Sequence, residues 1–149
     1  MERTKAGFRA LREQVGLTQE AVADAVGVTT LTVKRWESLD NGWMPWDAAW
    51  VALEHARAAQ GAAVESARNA VLHTMAVAGA PPVKVELPYW RDQRHYDEHG
   101  HDRGCYGVAN ANSRAVAEEL RAMGVDVRLV YPGYDDAPAL DAAARETRG

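Results

Sequence analysis

Two stretches of this chain hold side chains whose types and spacing could do chemistry. The first is GVTTLTVKRWES, Gly27 to Ser38. Val33 and Trp36 share one face of a short helix, which leaves Thr30, Leu31, Lys34 and Arg35 outside core duty. Threonine hydroxyls donate or accept hydrogen bonds, and Leu31 could pack on a thymine methyl. Arg35 could hold a guanine through two parallel bonds. The second stretch is RHYDEHGHDRGC, with His95, Asp97, His99, His101, Asp102 and Cys105. Three imidazoles and a thiolate could in principle fill a tetrahedral zinc or nickel shell. Their spacing matches no metal pattern and there is no second cysteine, so a solvated polar loop is the better reading. Nucleophilic catalysis by Cys105 is less favoured still, because the residue opens an apparent strand and no oxyanion-hole motif accompanies it. Tyr89 and Trp90, just before this loop, read as core or interface residues ahead of a ligand-sensing pocket.

Bulk properties narrow the class. The chain has 149 residues, 47% hydrophobic and 26% charged, enough to bury a core in one ordinary domain or two small ones. No apolar run approaches the ~18 residues of a membrane span, and the charged N-terminus is no secretory signal. Cys105 is the only cysteine, which excludes an internal disulfide and fits a reducing cytoplasm. The formal net charge of −4 argues against coating nucleic acid by bulk attraction. Acids slightly outnumber bases even within residues 1–57. Any nucleic-acid role must therefore rest on a local patch and few phosphate contacts.

The elements that must position these residues follow from periodicity. Phe8, Leu11 and Val15 form the inner face of a first helix that stops at Gly16. Thr18 caps a second helix, with Val22, Ala23 and Val26 inward and Gly27 as its end. Thr29 caps the third. Asp40-Asn41-Gly42 is turn chemistry, and Pro45 suits a first helical position. From Trp46 through Trp50, Leu53, Val64, Ala67, Val71 and Met75 to Ala78 the apolar positions keep one phase. One long helix from Pro45 to Ala78 is expected, although Arg57 and Gln60 interrupt the stripe and Gly61 could kink it. AGAPP then breaks the helix. Val83, Val85, Leu87 and Tyr89 alternate as a half-buried strand, as do Val125, Val127, Leu129 and Tyr131. NSRAVAEELRAMG between them reads as a capped helix ending at Gly124, and CYGVA as a third, short strand.

The order helix, tight turn, helix is a helix-turn-helix pattern. LREQVGLTQEAVADAVGVTTLTVKRWES closely resembles the Cro/phage-repressor (XRE-type) helix-turn-helix of many bacterial regulators. The resemblance is carried by Arg12, Gly16, Leu17-Thr18-Gln19, Ala23, Gly27-Val28, Thr32-Val33 and Trp36-Glu37. It implies that helix 29–38 reads bases in the major groove through Thr29, Thr30, Leu31, Lys34 and Arg35. It implies also that Thr18 and Gln19 fix a phosphate, and that Arg12 and Glu37 form a structural ion pair setting the angle of the third helix. The segment Ser38–Trp43 departs from the family's usual short basic loop: it is longer and carries an acid. The whole layout is similar to the repressors associated with anti-CRISPR operons, which join this motif to a long helix and a small α/β dimerisation unit.

The expected fold is mainly α with a small α+β part. Residues 1–60 form the helix-turn-helix domain, 61–82 the continuation of the long helix and a linker, 83–133 a small α/β dimerisation or sensing unit, and 134–149 a flexible tail. The expected function is that of a cytoplasmic regulator of bacterial or phage origin, a homodimeric repressor binding double-stranded DNA at an inverted repeat. No enzyme activity, metal, cofactor or membrane is expected. An antitoxin that also grips a toxin, or a metal sensor or enzyme built on residues 95–105, are the alternatives.

Overall fold

The first three helices each begin at a threonine whose side chain accepts a backbone N–H one turn on. Thr4 takes that of Gly7 at 2.9 Å, Thr18 that of Ala21 at 3.0 Å and Thr29 that of Thr32 at 3.2 Å. In the computed structural model, which describes residues 2–82 and 84–135, these caps open α1 (Lys5–Val15), α2 (Gln19–Val26) and α3 (Thr30–Glu37). Gly16 and Gly27 close the first two in the left-handed conformation, with φ of 81° and 73°. The rest of the order is α4 (Asp47–Ala78), β1 (Lys84–Pro88), α5 (Gln93–His99), α6 (Tyr106–Ala122) and β2 (Asp126–Val130).

Two cores share the long helix. In the first, Phe8 sits edge-on to Trp36 and Trp50, with ring centroids 6.0 and 5.3 Å apart, among Leu11, Val15, Val22, Val33 and Leu53. Each fully buried side chain of this kind contributes about 1.5–3 kcal/mol. In the second, Val71 of α4 meets Val116, Ala117 and Leu120 of α6 and Val127 of β2. The strands pair in parallel, Val85 opposite Val127 and Leu87 opposite Leu129, and their crossover is made by α5 and α6. The first core draws on α4 as far as Ala56 and the second from Ala63 onward.

The halves also touch directly. Gly16 and Gly107 meet backbone to backbone: a Cβ on Gly16 would lie 2.0 Å from the Gly107 carbonyl oxygen. Gln60, buried, donates to the Gln14 carbonyl at 3.0 Å. The polar residue that interrupts the stripe is thus a tie between α4 and α1.

Several expectations are corrected. CYGVA is not a strand: Cys105 is the N-cap of α6, which begins at Tyr106, ahead of the expected NSRAVAEELRAMG helix. Small residues, Gly107 and Ala111, let the start of α6 pack against Gly16 at the end of α1, and this contact outweighs the local strand preference. The polar loop of residues 93–99 is the helix α5, capped by Asp92, whose side chain accepts the His95 N–H at 2.9 Å. Pro45 precedes the N-cap Trp46 and does not occupy the first helical position. Gly61 breaks nothing; α4 runs through it. Trp46, Met75 and Ala78 are exposed although they share the stripe's phase. Val83 and residues 136–149 of the expected tail lie outside the described residues.

Candidate nucleic-acid interface

α3 presents two faces with opposite duties. Val33 and Trp36 are fully buried, whereas Leu31, Lys34 and Arg35 are exposed in one stripe at spacings of three and four. Thr30 is half-buried in the first turn. The Thr29 hydroxyl is already engaged, with the Thr32 N–H and with the Thr32 hydroxyl at 3.0 Å. At the start of α2, the Thr18 hydroxyl caps the helix, and no hydrogen bond within the described residues holds the Gln19 side chain. The amides and dipole of a helix N-terminus suit an anion placed there.

The angle of α3 is set from behind. Arg12 donates from Nε to Glu37 Oε2 at 2.7 Å and from Nη2 to Oε1 at 2.8 Å, a two-pronged pair, and from Nη1 to the Leu17 carbonyl at 3.0 Å. The two side chains are only 12% and 4% exposed. A planar guanidinium held at three points ties α1, the α1–α2 turn and the end of α3 together.

Sequence reasoning missed the far edge of this face. Lys5 donates to the Arg35 carbonyl at 2.9 Å and to Asn41 Oδ1 at 3.0 Å. The Arg35 carbonyl also accepts the Ser38 N–H at 3.3 Å, so Lys5 adds a second bond there and ties the end of α3 to the following loop. Asn41 Oδ1 also accepts the Trp43 N–H at 2.9 Å. The Trp43 ring, 56% exposed, lies under the Arg35 guanidinium, 5.2 Å from carbon to ring centroid. α3 and this loop line an open groove of about 510 Å³, with Leu31, Lys34 and Arg35 on one wall and Asp40, Asn41 and Trp43 on the other. The Ser38 hydroxyl donates to Asp40 and holds that carboxyl below the ordinary aspartate range. The groove is therefore of mixed charge. A tryptophan directly after Asn-Gly was the available signal, since turns seldom carry large apolar residues.

The histidine-rich segment is taken apart by the fold. The Arg91 backbone N–H donates to His95 Nδ1 at 3.2 Å, so Nε2 carries the hydrogen that bonds the Pro132 carbonyl at 2.7 Å. His95 is thus buried and used at both nitrogens to tie α5 to the end of β2. Asp97 accepts from Gln93 at 2.8 Å, and Asp102 from the Tyr96 hydroxyl and from the Gly104 N–H. His99 lies against the rings of His95 and Tyr134, while His101 and Cys105 are exposed. Among the described residues no three His, Cys, Asp or Glu side chains are grouped to hold a metal. Burial pushes the Tyr96 hydroxyl up to about 12, helped by Asp102. Trp90 is core, its backbone N–H and C=O both bonded at 2.7 Å to the buried Asn110 amide. A cavity of about 470 Å³ beyond the strands is lined by Arg91, His95, Tyr131 and Tyr134 among others.

Residues 8–40 match the family model described as Helix-turn-helix, which supports a Cro/XRE-type helix-turn-helix in this part of the chain. The match supports a DNA-binding regulator. No curated protein matches the chain. Among the described residues no helix is long and apolar enough to cross a membrane.

Proposed function

We propose that this protein is a cytoplasmic, non-enzymatic, homodimeric repressor that binds an inverted repeat in double-stranded DNA with α3 in the major groove. The observation that carries base reading is the exposed stripe Leu31, Lys34, Arg35 on a helix whose other face is fully buried. Arg35 and Lys34 are assigned to bases together with Leu31, Thr30 and Thr29, the last through whatever its engaged hydroxyl can still accept. Thr18 and Gln19 are assigned to a phosphate at the α2 N-terminus.

Three features support a dimer. The first domain is not basic, so one copy should hold DNA weakly. The last turns of α4 expose Leu72, Met75 and Val77, the last at 74%. The two described strands form a two-stranded sheet, and each keeps an outer edge that a second copy could pair or cover. The layout of motif, long helix and α/β unit is also the one on which the resemblance to repressors of anti-CRISPR operons rests. Selection of bound DNA from a random library tests the reading. It should return a palindrome with half-sites about one helical turn apart. Arg35→Ala should cost about 1–3 kcal/mol per half-site and relax one base pair, while Gln19→Ala weakens all sequences alike. If Arg35→Ala leaves both affinity and the selected sequence as they were, α3 is not the reader.

A further inference from the structure

The groove beside α3 contains a device that nothing in the helix-turn-helix pattern requires. Trp43 is a large aromatic residue kept half outside, in a loop where it buries little. It is nonetheless firmly placed. Its N–H is held by Asn41, Asn41 is held by Lys5, and Lys5 also holds the Arg35 carbonyl, so loop and helix end are one bonded unit. Among the described residues, Arg35 is the only cation placed over the ring.

We propose that Trp43 is a positioning residue for Arg35, and that the loop after α3 thereby fixes which base the third helix reads. The inference rests on the base-reading role proposed above and deepens it. A guanidinium attracted to a ring through its charge still donates through its N–H groups, so Arg35 held 5.2 Å above the Trp43 ring can keep a fork for a base. Discrimination by such a fork depends on its plane being held. Arginine has several rotatable bonds, and an unsupported Arg35 would sample orientations in which one prong misses. The ring narrows that sampling before DNA arrives, so less freedom is lost on binding. Lys34, one residue earlier on the same exposed face, has no such support, and its compact ammonium needs none.

The experiment compares DNA selection and operator affinity for the full chain, Trp43→Ala, Trp43→Phe, Arg35→Ala and the Trp43→Ala/Arg35→Ala pair, each first checked for an unchanged melting profile. Trp43→Ala should flatten the preference at the base pair read by Arg35 about three- to ten-fold and leave the other positions alone. Trp43→Phe should restore most of it. In the Arg35→Ala background, Trp43→Ala should change that position no further, since its effect passes through the arginine. A uniform loss at all positions after Trp43→Ala, or a loss that persists in the Arg35→Ala background, would overturn the proposal and leave base reading by Arg35 standing. An Arg35→Ala protein with unaltered preference would overturn both.

Discussion

The first core and the second are built on the same helix by different means. Around Phe8 the interior is aromatic: Trp36 and Trp50 close on it edge-to-face, three threonine caps hold the helix starts, and a buried Arg12–Glu37 pair fixes the last helix. Around Val71 the interior is valine, alanine and leucine, with two strands and little else. Outside that cluster, the buried His95 and Asn110 bond backbone groups of Pro132 and Trp90. An eight-residue helix can present a free face only if everything behind it is rigid. The second core, by contrast, leaves Leu72, Met75, Val77 and two strand edges uncovered. A part that must hold still is closed on itself, and a part that is open has surface to share.

The largest expected effect breaks the open half. Leu72→Glu with Met75→Glu should leave the fold intact, because both residues are already exposed, and turn a dimer into a monomer by light scattering. Operator affinity should then fall by about 10² to 10⁴, the gain that linked half-sites provide. A fragment ending near Gln60 should likewise be monomeric and hold the operator weakly. A monomeric full-length chain that binds its palindrome tightly, with no dependence on protein concentration, would overturn the dimer.

Next comes the closed half. Arg12→Ala or Glu37→Ala alone should cost roughly 3–5 kcal/mol in denaturant unfolding, since the remaining charge stays buried without its partner. Replacing both with apolar residues should cost less than either single change. Small, equal losses would mean that the pair behaves as a surface bridge.

The seam between halves can be tested with two glycines of the same conformation. Gly16→Ala adds a methyl into the Gly107 backbone on top of the left-handed strain, and should cost about 3 kcal/mol. Gly27→Ala, whose surroundings are open, should cost about 1–2 kcal/mol from the backbone alone. Equal melting temperatures for the two variants would argue that the seam carries no stability.

The smallest effect is confined to the second half. Tyr96 ionises near pH 10 when unfolded and is pushed up to about 12 when folded, so the folded state keeps a proton that the unfolded state loses. Its contribution is complete below pH 10 and should fade as pH rises toward 12. Thermal melts across that window should show a decline that Tyr96→Phe lacks, with the first core unaffected.

Most of the first core is legible in the sequence because its signals are local. Thr18 and Thr29 announce helix starts, Gly16 and Gly27 announce ends, and Phe8, Leu11, Val22, Val33 and Trp36 recur at helical spacing. The long helix is legible for the same reason, since a single phase of apolar residues runs past Gly61 without a break. Local signals thus placed the ends of α1, α2 and α3 and the apolar face of each. Tertiary structure decided the rest. Residues 93–99 become a helix because Asp92 caps it and His95 is anchored by Pro132 across the chain. CYGVA becomes the start of α6 because Gly107 must fit against Gly16. Trp43 is read as turn until Lys5, 38 residues earlier, is seen to hold the loop against α3 through Asn41. Periodicity reports which side of an element turns away from water. It carries no record of which distant backbone carbonyl or glycine that side will meet, because such partners are chosen only when the elements pack.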